Sequence, residues 1–530
     1  MRLNSLKIRI LEILKDENKP LSLKEISSKI KLRIHQRTIL NEINKLIKNN
    51  RIEKEGNTNS ARYLLDNVLR YYKNYEFIYV HKKDEIAGYF INMKEHFRFI
   101  YSTDFLVNLS EPIATIKLTT DVVDFKELPS IFEENIPEGI NKEILEINTK
   151  ISNEFELLLK LEDNIGDLRF SKTEDIIDSK LKNKQTYLSL LDEILDSNNK
   201  IEVLKDFEIE LDDKTLFPEN YDFTKLAIKK SDGISGFQYK KLVHIDFDKK
   251  RIIADEGFSK DYILKPYSKL KADPSNEHYF PHISINEHLF MSFAKNELDF
   301  RVPYSAVIKR DKDKEYHYVV KRFDRYNTYK FNKATFAPFL GLSSEKKYDT
   351  SSEKLFKRIA IELKSKKEKM ELLKHYVYSI IIVHEDMHTK NLSLIFEKDK
   401  VFFAPLYDIA CTGIYDTSKG YDSHISINGK QTNIRPNDFR QLCKILDIRF
   451  IDFKNEAKNI ALKYAEKLPE YFDELDKLEK IDYYKSKIKK RVGQEANWIR
   501  TGNSFLFVDV LREFHKKQVE RLKQLKWIDT

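Results

Sequence analysis

The sequence predicts a multidomain α+β protein, with a small basic unit in front of a mixed unit and a larger two-lobed domain. Three observations lead to this prediction. The chain has 530 residues, more than a single hydrophobic core usually supports. Residues 1–65 hold 15 Lys and Arg against 7 Asp and Glu, whereas residues 66–172 hold 13 against 20. Along the chain, the apolar spacing changes from helical, to mixed, to strands followed by helices.

The composition excludes several classes of protein. With 41% hydrophobic and 34% charged residues, the chain is expected to fold rather than to be disordered. It has no run of roughly 18 uncharged apolar residues, so no membrane helix is expected. Charged Lys15 and Asp16 interrupt the apolar N-terminal segment, which argues against a secretory leader. Cys411 and Cys443 are the only cysteines, so neither a disulfide framework nor a cysteine metal cluster is predicted, and a reducing cytoplasm is the expected location.

Residues 1–68 show the element order of a winged helix-turn-helix. Apolar residues at helical spacing predict a first helix over 3–16. Ser22 and Glu25 form a capping-box pattern that opens a second helix, and a third is predicted over 35–49. Two short strand-like segments joined by a polar turn at 56–59 then indicate a hairpin.

In a winged helix-turn-helix, the third helix enters the DNA major groove and the hairpin touches phosphate. The positive charge of this unit agrees with binding of double-stranded DNA. The alternative is that the basic bundle binds protein or only packs against the rest of the chain. The residues predicted to face DNA are Gln36, Arg37, Asn41 and Lys45 on the helix and Lys54 and Arg62 on the hairpin.

The remaining chain divides into four predicted parts. Residues 76–172 look like a small α/β subdomain, and residues 173–225 like a polar helical connector. Residues 226–325 are rich in strands and form the first lobe, and residues 326–530 form a mostly helical second lobe.

A polar loop between apolar segments carries the main chemical signal. Asp386 and Asn391 have the five-residue spacing of the Asp and Asn in a protein-kinase catalytic loop. The carboxylate would accept the proton of an attacking hydroxyl, and the amide oxygen would bind magnesium. Lys390 lies between them and would neutralise the transferred phosphoryl group. Asp408 follows two strand-like segments, in the place of the metal-binding kinase Asp.

The same loop permits a second interpretation. His384 and His388, with Glu385 between them, resemble the histidine spacing of a zinc helix. Adjacent strands, the extra carboxylate of Asp386 and the lack of an evident third ligand argue against zinc.

A nucleotide site also needs a phosphate-covering loop and a lysine. Residues 231–240 form the one dense Gly/Ser turn of the sequence, and its backbone amides are suited to phosphate. Lys265 ends an apolar strand, where it would pair with the α- and β-phosphates, and Glu287 on the next helix would orient it. The alternative for Lys265 is an ordinary exposed lysine at the end of a strand.

Together these segments resemble the HipA-like serine/threonine kinases, the toxins of bacterial toxin–antitoxin pairs, over about residues 80–450. Residues 386–391 match the family pattern D-x-H-x-K-N, 407–409 match Y-D-I/V, and 322–325 match an R-F-D-R strand at the nucleotide hinge. Residues 234–240 resemble the I-x-G-x-Q-x-K phosphate loop. Residues 87–89, 132–139 and 164–167 resemble the family's N-terminal subdomain, which here is fused behind the DNA-binding-like unit.

The resemblance implies specific roles. His388 joins Asp386 and Lys390 in catalysis, and Asn391 and Asp408 bind Mg²⁺. Ser231 and Ser235 become the candidate autophosphorylation residues, because Gly233 stands where the family often has that serine. The residues implied in ATP binding are Ser235, Gly236, Phe237, Gln238, Lys240, Lys265, Glu287, Lys321, Phe323 and Asp324.

Three functions remain open from the sequence. The first is an active kinase that phosphorylates a protein, with an aminoacyl-tRNA synthetase implied by the family, and that binds its own promoter. The second is a DNA-binding regulator with an inactive, nucleotide-sensing kinase-like domain. The third is a small-molecule kinase. An antitoxin or a second copy of the chain are expected partners, and the 76–172 subdomain is a candidate built-in inhibitor.

Overall fold

The computed structural model describes most of the chain, namely residues 3–30, 34–57, 60–175, 186–195, 199–226, 231–234, 236, 238–254, 259–326, 329–397, 400–484, 488–492, 495–499 and 504–529. The first unit has three helices and a three-stranded antiparallel sheet of order β1-β3-β2. The predicted capping box of Ser22 and Glu25 is present, and Ile39, Ile43 and Leu46 are buried as the spacing predicts. The elements are α1 (Leu3–Glu17), β1 (Leu21–Ser22), α2 (Leu23–Lys29), α3 (Gln36–Lys48), β2 (Ile52–Glu55) and β3 (Arg62–Leu65).

This front unit docks on the second unit through buried polar contacts. Arg51 is fully buried and donates hydrogen bonds to the carbonyl oxygens of Tyr101, at 2.6 Å, and Thr120, at 3.2 Å. Lys7 forms an ion pair with Asp121 at 2.9 Å. Burial lowers the pKa of Arg51 to about 10, so its side chain remains charged at neutral pH. These contacts lie on the side of the unit that α1 occupies, and they leave the first turns of α3 exposed.

The second unit is an antiparallel sheet of order β7-β6-β5-β4-β9, covered by short helices. Its aromatic core includes Phe90, Phe99 and Phe132, whose rings meet edge to face. The elements are β4 (Glu76–Lys82), β5 (Glu85–Asn92), β6 (Phe97–Tyr101), α4 (Thr103–Val107), β7 (Val123–Phe125), α5 (Ser130–Glu133), α6 (Gly139–Thr149), α7 (Glu154–Leu157), β8 (Leu161–Asn164) and β9 (Leu168–Ser171).

A six-stranded sheet of order β10-β13-β12-β14-β16-β15 forms the next part. Its edge strand β10 comes from 173–225, so the connector predicted to be helical is only partly so. Strand β11 instead pairs in parallel with β8 of the second unit. The elements are α8 (Tyr187–Ile194), β10 (Glu208–Glu210), α9 (Asp213–Leu216), β11 (Ser231–Gly233), β12 (Lys241–Asp246), β13 (Arg251–Ile253), β14 (Tyr262–Lys265), α10 (Ile283–Leu298), β15 (Ser305–Ile308), β16 (His317–Lys321) and β17 (Arg325–Tyr326).

The last part packs long helices around α13, which carries the predicted apolar run and is buried along most of its length. The strands predicted at 392–396 and 401–406 are present, and Asn332–Thr335 adds a third strand beside them. The elements are β18 (Tyr329–Lys330), β19 (Asn332–Thr335), α11 (Ala337–Leu340), α12 (Ser352–Glu362), α13 (Lys366–Ile381), β20 (Ser393–Glu397), β21 (Lys400–Phe403), α14 (Arg440–Leu446), α15 (Phe450–Leu475), β22 (Asp482–Tyr484), β23 (Ile488–Val492), β24 (Glu495–Ile499), β25 (Ser504–Leu506) and α16 (Phe507–Gln524).

Within the residues described above, no helix is both long enough and apolar enough to cross a membrane. The longest helix, α15, alternates buried residues such as Phe453 and Ile460 with charged ones, which is typical of a helix on the surface of a folded core.

Candidate active site

The polar loop after α13 is not helical. Val383 has a left-handed backbone (φ 56°), and the amide of His384 donates to the carbonyl oxygen of Ser379 at 2.8 Å, which ends the helix. Four-residue spacing therefore does not place His384 and His388 on one helix face. Among the described residues, no group of three or more His, Cys, Asp and Glu is arranged to hold a metal ion. The zinc interpretation is therefore wrong for this part of the chain.

Two residues of the loop anchor the segment that follows Asp408. His384 Nδ1 lies 2.9 Å from the carbonyl oxygen of Ala410. The buried carboxylate of Glu385 accepts hydrogen bonds from the Ser418 hydroxyl and from the amides of Lys419 and Tyr421, at 2.6–3.0 Å. These contacts hold the backbone that leads directly into Asp386.

His388 behaves as a neutral part of this framework. Burial lowers its pKa to about 3, so it carries no charge at neutral pH. Its Nδ1 accepts the amide of Lys390 at 3.2 Å, which places the ring proton on Nε2. A neutral His388 that accepts the Lys390 amide is suited to orienting the loop and not to transferring a proton.

Asp408 and Lys265 form the centre of the cleft. Lys265, the last residue of β14, donates to Asp408 Oδ1 at 2.5 Å and to Glu287 Oε1 on α10 at 2.6 Å. Burial favours the neutral amine, but the carboxylates of Asp408 and Glu287 outweigh it and raise the pKa of Lys265. Burial also opposes the charge of Asp408, yet Lys240 and Lys265 hold its pKa well below the usual value. The alternative of an exposed strand-end lysine is therefore wrong.

The phosphate-loop segment approaches the same centre. Gly236 has φ 124°, and a Cβ there would lie 2.6 Å from Lys240 Nζ, so a side chain would displace that lysine. Lys240 Nζ lies 3.5 Å from Asp408 Oδ2, while Asn141 of the second unit bonds both backbone groups of Lys240. Gln238 reaches the carbonyl oxygen of Pro266 at 3.4 Å. The cleft thus depends on α6, outside the predicted lobes.

The serine region differs from the family pattern for a steric reason. A Cβ on Gly233 would lie 2.8 Å from the carbonyl oxygen of Asn135 and 2.9 Å from that of Asp163. Glycine is therefore required where β11 runs beside the second unit. Ser231 lies on that strand, whereas Ser235 and Phe237 lie outside the described residues. Autophosphorylation of Ser231 or Ser235 stays a prediction.

Residues 322–324 of the R-F-D-R segment form a turn and not a strand, because β16 ends at Lys321 and β17 begins at Arg325. Asp324 accepts hydrogen bonds from Arg322, from Arg325 and, at 2.9 Å, from the amide of Gly166. Burial would raise the pKa of Asp324, but Arg322 and Arg325 lower it strongly. Asp324 therefore joins the hinge to the second unit.

The other two predicted hinge residues lie beside this turn. The ring of Phe323 packs 5.3 Å from that of Tyr407. Lys321 Nζ donates to the carbonyl oxygen of Glu193, in the last turn of α8, at 2.7 Å. Both residues line the cleft, Phe323 with an apolar face and Lys321 at its edge.

The acceptor side of the cleft holds two residues that the sequence did not predict as site residues. The exposed carboxylate of Asp386 accepts a hydrogen bond from the Tyr348 hydroxyl. Lys390 donates to Glu138 of the second unit and to the Ser344 hydroxyl. Glu138 appeared in the sequence only within a segment resembling the N-terminal subdomain, and nothing in the spacing of Tyr348 linked it to Asp386.

These groups line one cleft of about 570 Å³. Its lining has nine Lys and Arg against six Asp and Glu, so the cleft attracts an anion such as a nucleotide phosphate. Asn391 is buried next to Asp408, with its amide nitrogen 3.5 Å from the carbonyl oxygen of Asp408. The oxygens of Asn391 and Asp408 are of the type that Mg²⁺ prefers, so this pair fits the predicted metal.

The predicted DNA-facing residues lie on the exposed side of the front unit. Gln36, Arg37 and Asn41 are exposed on α3, as is Lys54 on β2. Lys45 is exposed as well and pairs with the buried carboxylate of Glu42 at 2.7 Å. Arg62 instead donates to the carbonyl oxygen of Pro20 at 3.0 Å, which ties the hairpin to the start of α2.

The fold and cleft define a domain of kinase-like type, with a lysine–carboxylate centre between a sheet and a helical region. Residues 233–475 match the family model of the HipA-like C-terminal domain. The predicted resemblance to the HipA-like family is therefore confirmed for residues 233–475, which match its C-terminal domain.

A solved structure agrees with this assignment at the level of the fold. It is the HipA, HipB and operator DNA complex of the Shewanella oneidensis MR-1 toxin–antitoxin system. The TM-score is 0.56 at 16% identity, with 85% of this chain and 98% of that chain covered. A comparison with curated protein sequences gives no match.

Proposed function

We propose that the chain is an ATP- and magnesium-dependent protein serine/threonine kinase of toxin–antitoxin type. The observation that carries this proposal is Lys265, held at 2.6 Å from Glu287 and at 2.5 Å from Asp408 in a positively charged cleft. A decayed site would not need to keep the buried pair of Lys265 and Glu287 beside Asp408, because a buried charge is costly unless its partner is present.

Each residue has a distinct part in the proposed reaction. Lys240 and Lys265 bind the nucleotide phosphates, and Asn391 and Asp408 hold magnesium, which supplies charge neutralisation on those phosphates. The oxygen of the acceptor hydroxyl bonds to the γ-phosphorus as the bond from that phosphorus to ADP breaks. Asp386 accepts the proton that the hydroxyl loses. Lys390 neutralises the transferred phosphoryl group.

The acceptor and the DNA are also parts of the proposal. The HipA resemblance implies a cellular protein acceptor, such as an aminoacyl-tRNA synthetase, whose phosphorylation arrests growth in the cytoplasm. The exposed face of α3 supports binding of double-stranded DNA for autoregulation. The similar Shewanella structure contains operator DNA and HipB, so an antitoxin is a proposed partner.

The test is incubation of the protein with labelled ATP, magnesium and cell lysate, followed by mass-spectrometric mapping of phosphorylated sites. We expect protein phosphorylation that falls by at least about a hundredfold in Asp386→Asn and Asp408→Asn, as for loss of a group used in the transition state. Both substitutions keep the side-chain size, so thermal unfolding serves as the folding control. Unchanged transfer in both variants would reject the proposal.

A second function is a DNA-binding regulator whose kinase-like domain only senses nucleotide. The contacts that favour it are those of the front unit with the second unit, through Arg51 and Lys7, because the second unit also supplies Glu138 and Asn141 to the residues of the cleft. Nucleotide binding measured by calorimetry, without transfer to protein or water, together with nucleotide-dependent DNA binding, would support it instead.

A further inference from the structure

The carboxylate proposed as the proton acceptor is already engaged by a side chain of the same protein. The hydroxyl of Tyr348 donates a hydrogen bond to Asp386 Oδ1. That is the bond that an attacking hydroxyl must make to a general base. Both residues line the cleft that also contains Lys390 and Asp408.

Tyr348 is held in this position from several sides. Its ring packs edge-on against His388 at 5.1 Å and lies 5.2 Å from the ring of His424. The preceding residue, Lys347, accepts the Thr389 hydroxyl at 2.9 Å through its carbonyl oxygen. The tyrosine is therefore fixed to the catalytic loop itself and does not reach Asp386 by a chance rotation of a surface side chain.

We propose that Tyr348 occupies the position of the acceptor hydroxyl, so that a protein acceptor has to displace it before transfer. This inference rests on the proposed kinase function and assigns Tyr348 as the residue that controls acceptor entry. The occupant that it excludes has the same chemistry, namely a serine or threonine hydroxyl, or water.

The Tyr348 hydroxyl is better suited to occupy the acceptor position than to accept phosphate itself. Burial, followed by the charge of Asp386, raises the pKa of the Tyr348 hydroxyl, so it keeps its proton and remains a donor. When an acceptor replaces it, the acceptor oxygen bonds to the γ-phosphorus, the bond to ADP breaks and the proton passes to Asp386. The tyrosine hydroxyl takes no part in these bond changes.

The variant Tyr348→Phe removes the hydroxyl and keeps the ring contacts with both histidines. Tyr421→Phe is the matched control. The ring of Tyr421 also packs on His424, at 5.3 Å, but Tyr421 contacts the catalytic loop through its backbone amide, which donates to Glu385. The probes are dephosphorylated casein as a protein acceptor and water, read as ATP hydrolysis. Thermal unfolding of the three proteins shows that each is folded.

We expect Tyr348→Phe to lower the KM for casein by about tenfold and to raise ATP hydrolysis several-fold, as for loss of one hydrogen bond to a charged group. The kcat for casein and the KM for ATP should stay within about twofold, and Tyr421→Phe should equal the parent. A lower kcat with an unchanged KM for casein would mean that Tyr348 orients Asp386. That result, or kinetics of Tyr348→Phe equal to the parent, would overturn this inference but not the proposed kinase function. Absence of transfer by parent and variant, although both bind nucleotide, would overturn the proposed function and this inference with it.

Discussion

The cleft and the front unit hold their candidate functional side chains in opposite ways. In the cleft, Lys240 and Lys265 are buried, and both contact Asp408, whose side chain is 36% exposed. On the front unit, Arg37 and Asn41 are exposed on one face of a helix. A shielded, mutually paired set acts as a unit, whereas exposed side chains contribute separate increments, so substitutions should have large, coupled effects in the cleft and small, additive effects on α3.

The largest expected effect follows from removal of the central cation. Lys265→Met leaves Glu287 and Asp408 close together without their shared positive partner. Lys265 is also the proposed phosphate-binding cation, and loss of one such electrostatic group lowers the rate by about a hundredfold to a thousandfold, so kcat/KM for ATP should fall by that factor. Steady-state kinetics and calorimetric nucleotide binding measure the loss.

Lys269→Met is the matched control for this change. Lys269 is an exposed lysine four residues further along the chain, and its amine lies over the ring of Phe217. We expect near-parental kinetics from it. Equal losses in the two variants would show that general destabilisation, and not the central cation, explains the effect.

The second effect tests whether the 76–172 unit completes the cleft or restrains it. Glu138→Gln removes a negative charge beside Lys390 but keeps the side-chain length. We expect the KM for ATP to fall several-fold, because an anion leaves the phosphate side, and kcat to fall by about tenfold, because Lys390 is no longer fixed. A rise in kcat would instead support built-in inhibition.

Glu154→Gln serves as the control for this substitution. It lies in the same unit but pairs with Lys142 at 2.9 Å, away from the residues that line the cleft. Deletion of residues 1–172 is a less direct test, because it also removes Asn141 and Asp163. Those residues bind Lys240 and the R-F-D-R turn, so a folding defect is expected from the deletion.

Much of the nucleotide side of the cleft could be predicted, because its residues follow one another in a fixed order of strands and helices. Lys265 at the end of β14 and Glu287 on the next helix are local features that apolar spacing reveals. Three helices and a hairpin in the front unit were predictable for the same reason, since capping and helical periodicity act over a few residues.

The contacts of the second unit with the cleft and hinge could not be predicted, because they join residues far apart in the sequence. Glu138 meets Lys390 across 252 positions, and Asp324 meets the amide of Gly166 across 158. The family resemblance, and not a local residue pattern, predicted a strand at 322–325. The two arginines of this segment instead turn to the buried carboxylates of Asp163 and Asp324.

A third prediction concerns pH and the hinge. Burial would raise the pKa of Asp163, but Arg325 and Arg322 lower it well below the usual value. The same two arginines lower the pKa of Asp324. A lowered carboxylate pKa stabilises the fold above the unfolded pKa of about 3.9, and this contribution is lost as the pH falls toward the folded pKa.

Urea unfolding as a function of pH measures this contribution. We expect the free energy of unfolding to be level above about pH 5 and to fall by about 2–3 kcal/mol for each carboxylate at lower pH. Asp163→Asn should flatten that fall, while Asp452→Asn, an exposed partner of Arg449 at 2.6 Å, should not. An unchanged slope in Asp163→Asn would refute the assignment.

The smallest effects are expected on the front unit, and their additivity is the sharpest contrast with the cleft. Arg37→Ala and Lys54→Ala should each weaken binding to a DNA fragment from the chain's own upstream region by about 1–3 kcal/mol or less. The double variant should equal the sum within about 0.5 kcal/mol, because the two exposed side chains lie on different elements. Lys477→Ala, with the same loss of charge on an exposed site remote in sequence, is the control.

In the cleft, Asp408→Asn added to Lys265→Met should cost little more than either change alone, because each already breaks the same paired set. Strong coupling between Arg37 and Lys54, or simple additivity between Lys265 and Asp408, would contradict the division of the molecule into an exposed surface and a shielded, paired site.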